Sequence, residues 1–366
     1  MDGCATASAT AAYPTVAGPL PPEHFRNFDG LTVSSIGLGT YLGDETDEQD
    51  RAYGAAVVDA VNLGCNLVDT AINYRAQRSE RVVGQALAAL GREGGLARDQ
   101  FVVCTKGGYI AFDGHVPPDP AAYVRDTYVR TGILQPEEIV GGAHAMAPRF
   151  LADQIGRSLR NLGVACIDVY YVHNPETQLG ALPRAEFRTR IRAAFELLEQ
   201  QVAAGRIGRY GVATWNGFRR PPDARDHLSL AELVNDAEAV GGSAHHFKVI
   251  QLPYNLAMPE AFAAATQLVG GERLTSLEAA ARLGVAVVAS ASILQGQLAR
   301  KLPQAIVDAL PGLTTHAQRA LQFVRSTPGV TTALAGMSRR EHVEENLGVA
   351  RIPPAPDTVR GLFREG

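Results

Sequence analysis

The chain has 366 residues, of which 46% are hydrophobic and 20% are charged, a balance typical of a globular protein with a large core. Its formal net charge is −4 with both signs interspersed, which excludes a broad cationic surface for nucleic acid or acidic lipid. No run of about 18 apolar residues is present, so no membrane span is predicted.

The first 22 residues are rich in Ala, Thr, Ser and Pro and lack the basic start and apolar stretch of a secretory signal. A loose N-terminal tail and a cytoplasmic location are therefore expected. The four cysteines show no CxxC spacing. Cys65, Cys104 and Cys166 lie in or beside predicted strands and are expected to be buried, reduced thiols. The histidine pair at 245–246 has no carboxylate or cysteine spacing beside it, so no metal site is predicted.

From residue 31 onward, strand-like runs alternate with helix-like segments. Helical spacing of Ala, Val and Leu predicts helices over 51–63, 79–90, 150–162 and 191–204, with glycine following three of them at 64, 163 and 205. Strands are predicted, in chain order, over residues 32–39, 66–69, 101–106, 167–173, 209–213, 248–251, 285–289 and 330–335.

Eight strands alternating with helices predict an α/β protein with the (β/α)8 TIM barrel fold, as a single domain over residues 31–352 between tails at 1–30 and 353–366. The alternative is a doubly wound open sheet, which usually carries GxGxxG after its first strand. Residues 37–43 have the wrong glycine spacing for that motif. Two long stretches, 107–148 and 216–247, are predicted as loops over the C-terminal face of the barrel.

Four ionisable residues stand where buried runs end: Asp69, Lys106 and His173 close three predicted strands, and Tyr74 follows Asp69 after a turn. A tyrosine has an ordinary pKa of about 10. A nearby ammonium lowers this pKa, and a carboxylate paired with the lysine keeps that ammonium charged. His173 would then orient a carbonyl oxygen while Tyr74 delivers a proton. Each residue alone also has an ordinary structural role, but four at the strand ends of one barrel favour an enzyme.

Several short motifs follow one another along nearly the whole chain, at residues 37–40, 69–74, 79–80, 105–106, 167–173, 205–212, 336–338 and 345–346. In this order they resemble the aldo/keto reductase family. The resemblance implies the same barrel, a catalytic tetrad of Asp69, Tyr74, Lys106 and His173, and reduction of a small-molecule aldehyde or ketone, or the reverse reaction, by hydride transfer.

The resemblance also implies a nicotinamide cofactor, NADPH/NADP+ in preference to NADH, extended across the barrel mouth. The substrate contacts are expected at Tyr41, Tyr109 and Trp215. The implied cofactor contacts, carried over residue by residue, are Gly39, Thr40, Asn174, Thr214, Gln251, Ile293, Leu294, Gln295, Gly296, Lys301, Gly336, Ser338, His342, Glu345 and Asn346.

Three positions depart from the family pattern. Thr214, after Ala213, replaces the usual Asn or Arg, so one carboxamide hydrogen bond moves to Thr214 or is lost. Residues 291–293 replace the usual Ser-Pro-Leu, which affects the pyrophosphate turn. His342 stands where an arginine often lies near the 2′-phosphate, although the arginines at 339–340 are close in sequence. These donors, with Ser338, predict a preference for NADPH.

Two other functions stay open at this stage. The chain could be a cofactor-sensing regulatory subunit that resembles the β subunits of potassium channels, although those subunits replace the histidine that is present here as His173. It could also be a barrel enzyme that forms a Schiff base on Lys106. The substrate, the reaction direction and the oligomeric state cannot be read from the sequence.

Overall fold

The computed structural model describes residues 1, 3–16, 18–93 and 95–363. Two antiparallel hairpins, β1 (Phe25–Phe28) with β2 (Leu31–Ser34) and β9 (Gln267–Val269) with β10 (Glu272–Leu274), accompany a closed barrel of parallel strands. The barrel confirms the predicted eight-stranded fold. Its strands, in order around the ring, are β3 (Ile36–Gly39), β4 (Leu67–Asp69), β5 (Val102–Gly107), β6 (Ile167–His173), β7 (Ile207–Ala213), β8 (Phe247–Pro253), β11 (Ala286–Ser290) and β12 (Thr332–Gly336).

Helices cross between the strands and cover the outside of the barrel. The helix predicted over 191–204 begins earlier in the structure, at Arg184. The prediction missed its first turns because they are polar apart from the buried Phe187 and show little apolar periodicity. The helices are α1 (Ala7–Val16), α2 (Asp47–Asn62), α3 (Arg78–Glu93), α4 (Pro120–Val124), α5 (Pro148–Leu162), α6 (Arg184–Ala203), α7 (Leu230–Gly241), α8 (Glu260–Ala263), α9 (Ser276–Arg282), α10 (Gln304–Ala309), α11 (His316–Ser326), α12 (Arg340–Gly348) and α13 (Pro356–Leu362).

Alternate residues of each strand face opposite sides of the barrel wall, as the period of two requires. On β6, Val169 and Tyr171 belong to the cluster inside the ring, whereas Tyr170 and Val172 belong to the layer between strands and helices. All four are fully buried. Because β6 is buried on both faces, residues 169–172 form a continuous run of apolar and aromatic residues rather than an alternating one.

The first predicted strand, residues 32–39, is two strands in the structure. Ser34 still pairs with Phe25 in the hairpin of β1 and β2, whereas Ile36 pairs with Ala333 of β12 in the barrel. The backbone changes partners at Ser35, whose N–H donates to the carbonyl of His24 at 2.7 Å. A single strand-like run of residues does not reveal such a change of partner.

The N-terminal segment is not the loose tail that the composition suggested. Residues 7–16 form α1, where Tyr13 is fully buried and donates its hydroxyl to the carbonyl of Val61 at 2.5 Å. Cys4 forms a disulfide with Cys166, so the expectation of a reduced thiol at Cys166 is wrong, while Cys65 and Cys104 are free and buried. This segment and the hairpin close the end of the barrel where the strands begin.

Residues 107–148 leave the barrel after β5 and return at α5. They contain α4 and several short helical turns, and their Tyr128 and Leu134 pack in a small core with Phe150 of α5. The stretch 216–247 holds α7. None of the helices formed by residues 1, 3–16, 18–93 and 95–363 combines the length and apolarity that a membrane crossing needs.

Candidate active site

A cleft of about 1050 Å³ opens where the barrel strands end. Small-molecule sites usually span roughly 300–1,000 Å³, so this cleft is large enough for an extended ligand. The sequence-predicted residues that line it are Gly39, Thr40, Tyr41, Asp69, Tyr74, Tyr109, His173, Asn174, Thr214, Trp215, Gln251, Ile293, Gln295, Gly296, Gly336, Ser338, His342, Glu345 and Asn346.

Three predicted residues are not part of the cleft wall. Lys106 is fully buried behind it, and Leu294 and Lys301 do not line it. The cation that does line this part of the cleft is Arg300, one residue before Lys301. The family resemblance assigned a cofactor contact to Lys301, but the irregular backbone of the preceding turn determines whether residue 300 or residue 301 faces the cleft.

Lys106, near the end of β5, is held as a buried ammonium ion. Its Nζ lies 2.5 Å from Asp69 Oδ1 and donates to the carbonyl of Thr70 at 2.9 Å. The second carboxylate oxygen of Asp69 accepts from Gln251 Nε2 at 2.7 Å. Burial works against the charge on Lys106, but the adjacent Asp69 carboxylate and Tyr74 together outweigh it and raise the pKa of Lys106. The lysine is therefore charged and fixed in place.

Tyr74 faces the cleft on the turn that follows β4. The Nζ of Lys106 lies 4.9 Å from the centre of its ring, and the ring packs edge-on against His173 and Tyr41 at centroid distances of 5.9 Å and 5.0 Å. Burial raises the pKa of Tyr74, and the Lys106 ammonium opposes this effect without cancelling it. The net lowering expected from the sequence is therefore not found, and the phenol is protonated at neutral pH.

His173 ends β6 beside Tyr74. Burial, together with the positive charge of Lys106 and the nearby His144, lowers the pKa of His173 well below its ordinary value. Its Nδ1 is buried and has no hydrogen-bond partner in the described part of the protein. A neutral imidazole carries one N–H, which can donate to a carbonyl oxygen. Together with Tyr74, this imidazole offers two hydrogen-bond donors to one substrate atom.

The turn after β11 has an irregular, partly left-handed backbone. Ala291, Leu294 and Gln295 have φ values of 55°, 47° and 52°, in the left-handed region that costs a non-glycine residue about 1–2 kcal/mol. Asn255 Nδ2 supports the turn by donating to the carbonyl of Ala291 at 3.0 Å. Within the turn, the N–H of Leu294 donates to the carbonyl of Ala291 at 2.8 Å, and the N–H of Gly296 donates to the carbonyl of Ile293 at 3.0 Å.

The far end of the cleft carries further polar groups suited to a ligand. The buried side chain of Asn346 has an Oδ1 with no partner among the described residues. Arg300 and Arg339 line the wall, whereas Arg340 is ion-paired to Glu344 at 2.8 Å. Two arginines and an unpaired amide along one groove fit a dinucleotide with a charged middle and a polar base at one end.

Sequence reasoning missed two residues of this region. Arg300 stands next to the residue that was carried over, and His144 lies directly behind His173, with its Nε2 2.7 Å from the His173 carbonyl oxygen. No local pattern marks His144, because its partner is 29 positions away along the chain. Within the described ranges, no three His, Cys, Asp or Glu side chains are grouped so as to hold a metal ion.

Comparison with known proteins gives a consistent result. A sequence model described as the "Aldo/keto reductase family" matches residues 35–238. A Schizosaccharomyces pombe protein named "Putative voltage-gated potassium channel subunit beta" is 24% identical over 341 residues, covering 89% of this chain and 87% of its own. The NADH-specific methylglyoxal reductase of Escherichia coli is 28% identical over 211 residues, covering 56% and 54%.

Solved structures share the fold. An aldo/keto reductase from Klebsiella pneumoniae, in complex with NADP and acetate, has a TM-score of 0.62 at 22% identity and covers 93% of this chain and 95% of its own. The holo form of an aldo-keto reductase from Bacillus halodurans has a TM-score of 0.63 at 20% identity, with the same coverage. At such identities the likeness concerns the barrel alone.

Proposed function

The chain belongs to the aldo/keto reductase family, and on that premise we propose that it is an NADP(H)-dependent oxidoreductase that interconverts a small aldehyde or ketone with its alcohol. The observation that carries the proposal is the arrangement of Tyr74 and His173 above the buried ion pair of Lys106 and Asp69. The four residues combine a proton donor, a carbonyl-orienting group and a fixed positive charge at one end of the cleft.

The chemistry of these residues follows from their positions. The reduced nicotinamide, when bound, supplies the hydride. Tyr74 gives its proton to the carbonyl oxygen as negative charge develops there, and His173 donates a hydrogen bond to the same oxygen. The Lys106 ammonium stabilises the tyrosinate left behind. The Asp69 carboxylate holds Lys106 in place, and Gln251 holds the carboxylate by donating to its second oxygen. In the reverse reaction the tyrosinate accepts the alcohol proton.

The experiment that tests this function follows NADPH absorbance against a panel of carbonyl compounds that includes sugars, quinones and polyketide-like ketones. Turnover of at least one carbonyl, with the matching alcohol oxidised by NADP+, is the expected result. Tight binding of NADPH with no turnover of any compound in the panel would contradict the proposed reductase activity.

A preference for NADPH over NADH is part of the proposal. Arg300 and Arg339 line the cleft near Ser338 and His342, and cationic and hydroxyl donors favour the additional phosphate of NADPH. The relative that is NADH-specific makes this a point to test directly. A kcat/KM higher with NADPH than with NADH supports it, and equal values would remove it.

A second candidate function is a cofactor-sensing regulatory subunit that resembles potassium-channel β subunits, and two relatives are named as such subunits. The intact His173 beside Tyr74 favours turnover instead. Slow single-turnover oxidation of bound cofactor, together with a stable partner complex, would favour the sensor. The Schiff-base alternative finds no support, because Lys106 is buried and ion-paired at 2.5 Å and its raised pKa disfavours the neutral amine.

The proposal places the enzyme in the cytoplasm. The redox state of Cys4 and Cys166, which form a disulfide in the structure, tests this location because disulfides persist mainly in oxidising compartments. Mass spectrometry of protein taken from its native cells under alkylation shows which state the two thiols have. Fully reduced thiols fit the cytoplasm, and an intact bridge argues for an oxidising compartment.

A further inference from the structure

The peptide bond that links His173 to Asn174 is held from both sides. Its N–H donates to the carbonyl of Ala213 on β7 at 2.6 Å. Its carbonyl oxygen lies 2.7 Å from Nε2 of His144, a residue of the long segment between β5 and α5. The peptide carries a cleft-lining side chain on each flank, because both His173 and Asn174 line the cleft.

The His144 bond replaces one that the barrel does not provide. The last registered pair between β5 and β6 is Gly107 with Val172, so His173 extends one residue past its neighbour. The next N–H on that side, from Gly108, donates instead to Gln154 Oε1 at 2.8 Å. The carbonyl of His173 would otherwise be a strand-end acceptor without a partner, and buried carbonyls of this kind cost free energy when unpaired.

The protonation of His144 is fixed by its two partners. A carbonyl oxygen can only accept, so Nε2 of His144 carries the proton, and Nδ1 is then free to accept from Gln178 Nε2 at 2.9 Å. The orientation of the Gln178 amide is set in turn, because its Oε1 accepts from Arg190 at 3.1 Å. Burial lowers the pKa of His144 to about 4, which keeps the ring neutral and this pattern intact near neutral pH.

Packing adds to the hydrogen bonds. The Tyr109 ring lies edge-on to both imidazoles, 5.0 Å from His144 and 5.1 Å from His173. Its hydroxyl accepts from Asn174 Nδ2 at 3.3 Å. The backbone of Gly108 approaches so closely that a Cβ there would lie 3.0 Å from the His173 carbonyl oxygen and 3.1 Å from Nε2 of His144.

We propose that His144 is a positioning residue of the active site: by donating its Nε2 proton to the His173 carbonyl, it fixes the His173–Asn174 peptide and so the aim of the His173 imidazole and the Asn174 amide. This inference rests on the proposed function. Asn174 has a φ of 44°, in the left-handed region that asparagine tolerates. Rotation of an unheld peptide at this point would therefore displace the side chains on both sides of it.

The test compares His144→Phe, which keeps a flat ring but loses the donor, with His144→Gln, whose amide nitrogen can stand in for Nε2. His144→Phe should lower kcat about 10- to 100-fold, as small displacements of catalytic groups do, with a smaller rise in the Kd for NADPH because Asn174, an implied cofactor contact, moves with the same peptide. The kinetic isotope effect with deuterated NADPH should rise as hydride transfer becomes limiting. His144→Gln should recover most of the rate.

The matched control is His115→Phe, since His115 is an exposed histidine of the same segment. It should leave kcat and the isotope effect at wild-type values. An unchanged kcat in His144→Phe, or equal losses in the Phe and Gln variants, would overturn the positioning role while leaving the proposed function intact. A wild-type protein without carbonyl turnover would overturn both.

Discussion

The Asp168 carboxylate at one end of the barrel and two polar side chains of the cleft at the other end differ in whether the protein supplies their hydrogen-bond partners. Where the strands begin, the buried carboxylate of Asp168 accepts from the N–H of Ala5 at 2.5 Å, from the N–H of Val103 at 2.7 Å and from Arg98 at 2.7 Å. Where the strands end, buried atoms of His173 and Asn346 have no partner in the described residues.

This difference in hydrogen-bond partners distinguishes polar groups that stabilise the fold from polar groups that are available to a ligand. A buried polar atom without a partner costs about 1–3 kcal/mol, and such cost persists where a ligand supplies the missing partner. At the closed end the Asp168 carboxylate is satisfied within the protein, although Arg98 Nε beside it has no partner among the described residues, and the Cys4–Cys166 disulfide fastens the N-terminal segment there. We therefore expect substitutions at the closed end to change stability and substitutions at the open end to change activity.

The largest effect is expected for Tyr74→Phe at the open end. Loss of a positioned proton donor should lower kcat by about 10²- to 10⁴-fold, while the Kd for NADPH measured by fluorescence stays near the wild-type value. The folded state should be as stable as before, because the hydroxyl is the only group removed. Tyr123→Phe, in the stretch 107–148 that follows β5, is the control. A Tyr74→Phe enzyme with the wild-type rate would refute the proposed acid.

At the closed end, Asp168→Ala should destabilise the protein by about 3–5 kcal/mol, because it leaves a buried Arg98 without its partner. Chemical denaturation measures the loss, and kcat of the protein that remains folded should be nearly unchanged. Asp113→Ala removes an exposed partner of Arg81 and should cost at most about 1 kcal/mol. Similar losses in the two variants would contradict the difference between buried and exposed pairs.

Removing the disulfide should cost somewhat less. Cys4→Ser opens a link between residues that are 162 positions apart, and such losses amount to about 2–5 kcal/mol. The melting temperature of the wild type should fall when a reductant is added, whereas that of Cys4→Ser should not respond. Alkylation of the denatured protein without reductant should label two of the four cysteines in the wild type. Four labelled thiols and no effect of reductant would show that the bridge does not form.

The barrel and the grouping of Asp69, Tyr74, Lys106 and His173 could be predicted from the sequence because both depend on local patterns. Apolar runs locate strands, and a polar residue at the end of a run faces the same end of a parallel barrel as the others. The roles of these residues stay predictions, although the structure brings them together.

Contacts between distant positions escaped the sequence. The cover at the closed end depends on pairs such as Ala5 with Asp168, 163 positions apart, and composition alone suggested a loose tail there. The same holds for His144 behind His173. Arg300 was missed for a different reason: left-handed residues in the preceding turn change which side chain faces inward, and no periodic pattern describes such a turn.

The smallest effect should separate two neighbouring arginines at the open end. Arg339 lines the cleft, whereas Arg340 is exposed and ion-paired to Glu344 at 2.8 Å. Arg339→Ala should raise the KM for NADPH about tenfold, the size of one lost charge-assisted hydrogen bond, and leave the KM for NADH nearly unchanged because NADH lacks the extra phosphate. Arg340→Ala should raise the KM for NADPH less. Equal effects of Arg339→Ala on both cofactors would show that this arginine contacts a group the two share, and the preference for NADPH would then need another origin.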